Sequence, residues 1–187
     1  DFQASRYLVS NEIAGQTGNN HPTMTPMGTY NAADGYINIA STGEAMWRRL
    51  CNVLNIRKSL DDKDFEDDIA RTNNRKKLTD IINNALSKNT KEEWIIRLNE
   101  ASIPCGPINN IKEVFDDPQI MHSKIAQTVV HPKLGKIKLV GQAMKLSRTP
   151  SKIKTAAPNK GEHTDIILNE LGYSKDKIKK LKMERII

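Results

Sequence analysis

A turn, a strand and the start of a helix follow one another in the run Asp34-Gly35-Tyr36-Ile37-Asn38-Ile39-Ala40-Ser41-Thr42-Gly43-Glu44-Ala45-Met46-Trp47. Asp34-Gly35 is a turn signal, and the next five residues alternate as a half-buried strand does. Apolar residues then recur at helical spacing, at Met46, Trp47, Leu50, Cys51 and Leu54. Ser41 and Glu44 match the capping-box pattern, which predicts that the helix begins just after the strand.

Two further helices are predicted on the C-terminal side of this run. Their apolar stripes are Leu78, Ile81, Ile82, Ala85 and Leu86 in the first, and Trp94, Ile95, Leu98 and Ala101 in the second. Thr90 and Glu93 form a capping box at the start of the second helix. The segment 103–108 is excluded from helix by Pro104 and Pro107, and a short helix over 111–115 ends before Pro118.

The two ends of the chain have different patterns. At the N-terminal end, a helix over 1–14 is predicted to stop at Gly15, and the turn-rich residues 15–29 are predicted to form a loop. At the C-terminal end, strands over 125–130 and 136–140 flank a turn, and 147–160 is a linker. A helix then ends at Gly172, and Ser174 caps a last short helix. These patterns indicate an α+β body over 28–122, followed by an extended arm and two helices.

Composition limits the class of protein. The 187 residues are 37% apolar and 27% charged, which suits one globular domain or two small ones. No run approaches the length of a membrane span, and no secretory segment is present, so no membrane partner and a cytoplasmic location are expected. Cys51 and Cys105 do not suggest a disulfide scaffold, which favours a reducing cytosol or organelle matrix. The opening residues look like a helix entered in its middle, which indicates a fragment; a processed terminus is the alternative.

The net charge of +7 is unevenly distributed. Residues 131–160 carry eight Lys and Arg and no Asp or Glu, whereas residues 61–68 are strongly acidic. A basic stretch could contact nucleic acid or the phosphates of a nucleotide cofactor, but it is more often a solvated face. No aromatic residue lies in 131–160 to stack on bases, so no nucleic-acid partner is expected.

Few residues offer chemistry of their own. His21, His122, His131 and His163 lack the spacing of a metal site, so no metal is expected. Cys105 could be a nucleophile but has no base supplied by a motif, and a buried turn is the favoured interpretation. Glu162-His163 at a helix start could bind an anion or, more simply, cap the helix. Gly43 and Glu44 stand between a strand and a helix, where free N–H groups could bind an anionic or carbonyl group.

Several phrases, taken in order, resemble the class III CoA-transferase (CaiB/BaiF) family, and formyl-CoA transferases in particular. They are Gly18-Asn19-Asn20-His21-Pro22, the segment 34–40 followed by Trp47-Arg48-Arg49-Leu50-Cys51, Ile103-Pro104-Cys105-Gly106-Pro107-Ile108, Asp117-Pro118-Gln119, Lys145-Leu146-Ser147-Arg148-Thr149-Pro150, Ala157-Pro158, Gly161-Glu162-His163-Thr164 and Leu171-Gly172-Tyr173-Ser174. Their shared order and spacing extend over essentially the whole chain.

The resemblance implies a fold and a division of the chain. Family members are interlocked homodimers with a Rossmann-like α/β large domain, built from both ends of the chain, and a small α+β domain. Residues 1–27 would be a helix and linker from the large domain, 28–122 the small domain, and 123–187 a segment that returns to complete the large domain. The homodimer would form through the missing N-terminal half.

The resemblance also implies an activity. An aspartate in a Val-Asp-x-Ser-like motif would pass CoA from an acyl-CoA to a carboxylic acid through an aspartyl-CoA thioester. The CoA thioester is a substrate, and no covalently bound cofactor is expected. Asp1 stands in a different context, Asp-Phe-Gln-Ala, so no catalytic residue is assigned in this chain. The fragment alone should therefore be inactive, with Gly43, Glu44 and His21 as substrate-lining candidates.

Two alternatives remain open. α-Methylacyl-CoA racemases of the same family use acid–base residues, with a glutamate in a Gly-x-x-Glu-Pro-like segment after the strand. Here Gly43 falls nearest that glutamate and Glu44 is one position away, which favours the transferase. An alternative from another class is a basic, non-enzymatic interaction domain, which would explain the charge of 131–160 but not the ordered motifs.

Overall fold

The computed structural model describes residues 2–187, and Asp1 lies outside the described residues. The chain divides into two compact units, Asp1–Asn109 (unit 1) and Asn110–Ile187 (unit 2). Both contain helices together with small antiparallel sheets, so the mixed α and β character expected from the sequence is confirmed. The predicted boundaries near residues 27 and 122 stay predictions.

Unit 1 is built around a three-stranded antiparallel sheet. Its strands are β1 (Met27–Ala32), β2 (Gly35–Ala40) and β3 (Cys105–Pro107), in the order β1-β2-β3. Its helices are α1 (Phe2–Ser10), α2 (Gly43–Val53), α3 (Asp68–Asn73), α4 (Arg75–Leu86) and α5 (Lys91–Glu100), with short 3-10 helices at Arg57–Leu60 and Lys63–Phe65. In the central strand β2, Ile37 pairs with Tyr30 of β1, and Ile39 pairs with Cys105 of β3.

The core of unit 1 lies between this sheet and the apolar faces of α2, α4 and α5. The buried members of the cluster are Tyr30, Ile37, Ile39, Trp47, Leu50, Cys51, Leu54, Phe65, Leu78, Ile82, Ala85, Leu86, Trp94, Leu98 and Ile103. The buried positions of α4 and α5 fall within their predicted stripes, and the capping box of Thr90 and Glu93 is present. These predictions are therefore confirmed, as is the non-helical segment 103–108.

The N-terminal prediction is wrong in two places. The helix ends at Ser10, not at Gly15, because Asn11 adopts a left-handed backbone (φ 56°); its N–H still makes the last helical bond, to Tyr7 O. The loop predicted over 15–29 also hides the start of β1 at Met27. The many turn-forming residues of this segment predict a loop, but its last residues form a strand because they pair with β2.

The capping box predicted at Ser41 and Glu44 is also wrong. Helix α2 begins at Gly43 with Thr42 as the N-cap residue, and the Thr42 side chain makes no capping hydrogen bond. The Ser41 N–H instead donates to Pro26 O (3.0 Å), and the Glu44 carboxylate binds Arg71. Ser41 and Glu44 therefore bond to residues far away in the sequence and not to each other's backbone.

The acidic run in unit 1 is used locally. Asp62 and Asp64 both bind Lys77, and their hydrogen bonds hold the pKa of Asp62 below and that of Lys77 above the ordinary values. Asp67 caps α3 by accepting the Ala70 N–H. Three of the acidic side chains of 61–68 therefore make ion pairs or helix caps within unit 1.

Unit 2 consists of short elements. Its helices are α6 (Ile111–Asp116), α7 (Pro118–Ser123), α8 (Thr164–Glu170) and α9 (Lys175–Met183), and its strands β4 (Ala126–His131) and β5 (Gly135–Val140) form the predicted hairpin. The predicted linker 147–160 has no helix or strand, and Ser174 caps α9 as expected. Within residues 110–187, Val129 and Ile178 are the buried apolar side chains.

One capping prediction in unit 2 is wrong. His163 occupies the N-cap position of α8 without a side-chain hydrogen bond, and Glu162 instead accepts from the Asn159 N–H and side-chain amide. These bonds hold the pKa of Glu162 below its ordinary value. Among residues 2–187 no helix combines the length and the apolar character needed to cross a bilayer.

Candidate functional site

His21 lies in the segment that leads into β1. Its Nδ1 accepts hydrogen bonds from the backbone N–H groups of Thr23 (3.3 Å) and Met24 (3.1 Å). An Nδ1 that accepts two N–H donors carries no proton, so the proton of the neutral ring is on Nε2. The ring also stacks on Phe2, with centroids 5.7 Å apart and planes 5° apart. His21 is therefore a fixed ring that offers a hydrogen-bond donor.

Asn20 and Gly28 bring the His21 segment against the sheet. Asn20 forms an isolated bridge with Gly28, and the His21 N–H donates to Met27 O (2.8 Å). A Cβ atom at Gly28 would collide with the Asn20 side chain. Glycine at 28 thus permits Asn20 to pack closely against the strand, which places His21 beside Met27 at the start of β1.

Gly43 and Glu44 form the first turn of α2. Gly43 has a left-handed backbone (φ 71°), which glycine adopts without strain, and no atom lies within 4 Å of where its Cβ would be. Thr42 precedes this 11-residue helix, and its side chain does not accept a hydrogen bond from the first N–H groups of the helix. The partial positive charge of a helix N-terminus favours an anion or a polarised carbonyl here.

The structure joins these two predicted segments. Ser41, immediately before the turn, donates its N–H to Pro26 O, which follows the His21 segment. The Ser41 hydroxyl is buried and has no hydrogen-bond partner among the described residues. His21, Gly43 and Glu44 thus belong to neighbouring segments of unit 1, and the side chains of His21 and Glu44 bond to different partners.

Sequence reasoning missed the residue that connects them, Arg71 of α3. Its side chain is 1% exposed and donates to Thr25 O (3.2 Å), to Phe65 O (3.0 Å) and to the carboxylates of Glu44 and Asp68 (2.7 Å each). No local pattern marked Arg71, because Ile69 is exposed and Arg71 is the buried residue of α3, so this short helix has no apolar stripe.

Cys105 fits a structural role better than a nucleophilic one. Its Sγ lies 3.8 Å from Ile95 O and 3.7 Å from Asn99 Oδ1, both of which can only accept its proton. Burial raises the pKa of the Cys105 thiol, which disfavours the reactive thiolate. The buried turn predicted for Cys105 is wrong, because the residue begins strand β3, pairs with Ile39 and is only partly buried.

The other histidines, His122, His131 and His163, belong to unit 2. In unit 2, His131 Nδ1 accepts from the N–H groups of Lys133 and Leu134 and so stabilises the turn of the β4–β5 hairpin. In residues 2–187, no three His, Cys, Asp or Glu side chains gather where they could hold a metal ion.

Comparison with known proteins defines the family. The family model described as CoA-transferase family III matches residues 1–164. A succinyl-CoA:glutarate CoA-transferase from Mus musculus is 30% identical over 185 residues, which are 98% of this chain and 42% of the mouse protein. A formyl-CoA:oxalate CoA-transferase from Streptomyces coelicolor is 31% identical over 142 residues, 75% of this chain and 34% of that protein.

A solved structure shows the same fold. A CAIB/BAIF family protein from Brucella suis superposes with a TM-score of 0.77 at 28% identity, over 91% of this chain and 44% of that one. The chain therefore belongs to CoA-transferase family III, the class III or CaiB/BaiF family, as its motifs predicted. It spans about 42% of the length of the mouse relative.

Proposed function

We propose that the full-length protein is a CoA-transferase that moves CoA between an acyl-CoA thioester and a carboxylic acid. The supporting observation is the family match over residues 1–164, together with relatives named as CoA-transferases. The names of those relatives suggest small dicarboxylates as acceptors, and succinyl-CoA with glutarate as a first probe pair.

The proposed chemistry runs through a carboxylate nucleophile upstream of this chain. The aspartate attacks the thioester carbonyl and expels CoA thiolate, which leaves a mixed acyl-aspartyl anhydride. The thiolate then attacks the aspartyl carbonyl and releases the donor carboxylate, so that CoA is held as an aspartyl thioester. The acceptor carboxylate reverses these two steps, and no electrons or protons are gained or lost overall.

This chain would contribute groups that hold oxygen atoms. The first N–H groups of α2 can stabilise negative charge as it develops on an acyl oxygen or on the acceptor carboxylate. The Nε2–H of His21 is a second donor in a neighbouring segment. The open space beside Gly43 lets a ligand approach the backbone closely.

The structure supports the transferase over the racemase. A racemase glutamate must exchange a proton with the substrate α-carbon, so its carboxylate needs freedom to accept one. Here the Glu44 carboxylate is bound 2.7 Å from the buried, permanently charged Arg71. This bond directs the carboxylate towards Arg71, so Glu44 is better suited to shaping the turn than to contacting a substrate α-carbon.

The remaining features of the proposal lie beyond this chain. The nucleophile and most of the CoA-binding surface would belong to the missing part, with the Rossmann-like large domain and the homodimer completed there. The chain alone should then neither transfer acyl groups nor bind CoA tightly. Calorimetric titration of the 187-residue chain with CoA tests this, and low-micromolar binding would contradict the division.

Trapping the covalent intermediate tests the reaction type. Incubation of the full-length protein with succinyl-CoA should make it sensitive to hydroxylamine or borohydride, and omission of the acyl-CoA should leave it resistant. A racemase would instead exchange the α-proton of a 2-methylacyl-CoA with deuterium from solvent. Rapid exchange without covalent trapping would replace the transferase with the racemase.

Substitution of Gly43 tests the role of the α2 turn. Gly43→Asn keeps a residue type that tolerates a left-handed backbone while filling the open space, so it should lower kcat about tenfold or more, about 1.4 kcal/mol per factor of ten. Gly135→Asn is the matched control, because Gly135 has nearly the same backbone angle (φ 72°) and an equally open Cβ direction in the unit 2 hairpin. Equal kcat for the two variants would remove the turn from the active site.

A further inference from the structure

Arg71 is the most thoroughly bonded charged side chain found in unit 1. Its Nε, Nη1 and Nη2 atoms all donate, and the guanidinium lies 5.3 Å from the centre of the Trp47 ring. Burial of a charge is costly unless it is paired and its donors are used, and the planar fork of arginine is suited to four such bonds at once.

The partners of Arg71 come from four parts of unit 1. Asp68 is its neighbour in the same helix, and Phe65 O is in the 3-10 helix just before it. Thr25 O belongs to the segment that follows His21, and Glu44 belongs to the first turn of α2. The guanidinium therefore bridges the two segments that contain the substrate-lining candidates.

Neighbours of Arg71 reinforce one side of this bridge. Thr72 Oγ1 lies 3.3 Å from Thr23 O and 3.2 Å from Thr25 Oγ1, and Arg75 donates to His21 O (2.8 Å). Residues 71–75 thus hold the backbone of the His21 segment at several points. The first turn of α2 bonds to Arg71 through the Glu44 carboxylate, in addition to the Ser41 N–H that donates to Pro26 O and the contact of Arg71 with Trp47.

A purely structural arginine would not need Glu44. Asp68 already supplies a counter-charge to the same Nη2 atom at the same distance of 2.7 Å, and the two carboxylate side chains are similarly exposed, 49% for Asp68 and 52% for Glu44. Asp68 alone would therefore be enough to neutralise the buried charge of Arg71. Glu44 has the additional effect of fixing the turn at Gly43 to the His21 segment.

We propose that Arg71 is a positioning residue that couples the His21–Pro26 segment to the first turn of α2 through its bond to Glu44. This inference rests on the proposed function for its effect on turnover, whereas the coupling itself is independent of any activity. The two segments then present their donors to the acyl or carboxylate oxygen in one fixed arrangement.

The experiment compares Glu44→Gln with Asp68→Asn in the full-length protein. Each change removes one of two equivalent charges from the same Arg71 nitrogen, and neither side chain is in the core. Amide hydrogen exchange is followed at Ser41, which bonds Pro26 O, and at Met24, which bonds His21 Nδ1. Turnover is measured with succinyl-CoA and glutarate.

Coupling predicts that Glu44→Gln raises exchange at both Ser41 and Met24 by about tenfold or more, while Asp68→Asn changes either by less than about threefold. It also predicts a kcat that is lowered about fivefold or more by Glu44→Gln alone, with KM for glutarate nearly unchanged. Equal exchange or equal kcat in the two variants would overturn the proposal. If the wild type transfers no CoA, the proposed function fails, and the exchange comparison still decides the coupling.

Discussion

The two units of this chain differ in how much apolar surface they bury. Unit 1 encloses a continuous core that includes both tryptophans, whereas in residues 110–187 the buried apolar side chains are Val129 and Ile178. The four helices of unit 2 have 6 to 9 residues, and its sheet has two strands. Isolated helices and hairpins of this size are marginal in water. Unit 1 therefore has the contacts to fold by itself, and unit 2 needs apolar contacts from outside its own residues.

The largest effect is expected when the two units are produced separately. Residues 2–109 should unfold in one cooperative urea transition, because their core is self-contained. Residues 110–187 should bind the dye ANS and show no sigmoidal transition, since their apolar side chains lack a common core. A sharp transition for residues 110–187 would contradict the comparison.

Matched leucine truncations should differ by several kcal/mol. Leu50→Ala removes a side chain that is 0% exposed and should lower the free energy of unfolding of unit 1 by about 2–5 kcal/mol. Leu171→Ala, at 68% exposure in unit 2, should change it by less than about 0.5 kcal/mol. Tryptophan fluorescence is the measurement, because Trp47 and Trp94 both report on unit 1. A shift below about 1 kcal/mol for Leu50→Ala would show that the core packs loosely.

Alkaline pH should weaken unit 1 through Cys51. Burial raises the pKa of its thiol from 9.0 to about 12, so the folded state keeps a proton that the unfolded chain loses. The stabilisation is complete below pH 9.0 and is lost as the pH rises towards the folded value. The expected slope is about 1.4 kcal/mol per pH unit. Burial of Tyr30 raises the pKa of its phenol and adds to the loss at higher pH.

The variant Cys51→Ala separates this contribution from the others. Urea titrations at several pH values above 9.0 should give a shallower fall of stability with pH in the variant than in the wild type. The comparison is between slopes, so the loss of packing at position 51 cancels. Identical slopes would mean that the thiol is ionised as readily in the folded chain as in the unfolded one.

The smallest effect concerns two equivalent helix caps. Thr90 accepts the Glu93 N–H and Ser174 accepts the Lys177 N–H, each at 3.3 Å. Thr90→Ala should lower the stability of unit 1 by about 1 kcal/mol, because α5 is packed into its core. Ser174→Ala should instead reduce helical circular dichroism from α9 without moving the fluorescence transition. A fluorescence shift of equal size in both variants would show that the two units unfold together.

The sequence predicted what depends on local pattern. The stripes of α4 and α5, the Thr90 capping box and the β4–β5 hairpin all follow from residues within one element. The start of β1 was missed because Met27 and Gly28 become a strand only by pairing with β2. Ser41 and Glu44 were misread as a cap because their partners, Pro26 and Arg71, lie far away in sequence.

In the candidate site, too, the sequence predicted local features and missed those that depend on distant contacts. The motif around His21 and the turn at Gly43 could be selected from resemblance and from the strand–helix junction. The stacking of His21 on Phe2, its proton position and the bridge through Arg71 could not, since each depends on a contact between distant segments.

Strand β3 has a further consequence at the edge of the unit 1 sheet. The backbone groups on the side that faces β2 are hydrogen-bonded, since Pro104 O accepts the Ala40 N–H and the Ile108 N–H donates to Tyr36 O. By alternation, Cys105 and Pro107 direct their backbone groups outwards, and Pro107 has no N–H to donate. A strand of three residues that lacks one of its two outward donors is a poor template for a further strand. The proline that rules out a helix here also protects the sheet against edge-to-edge aggregation.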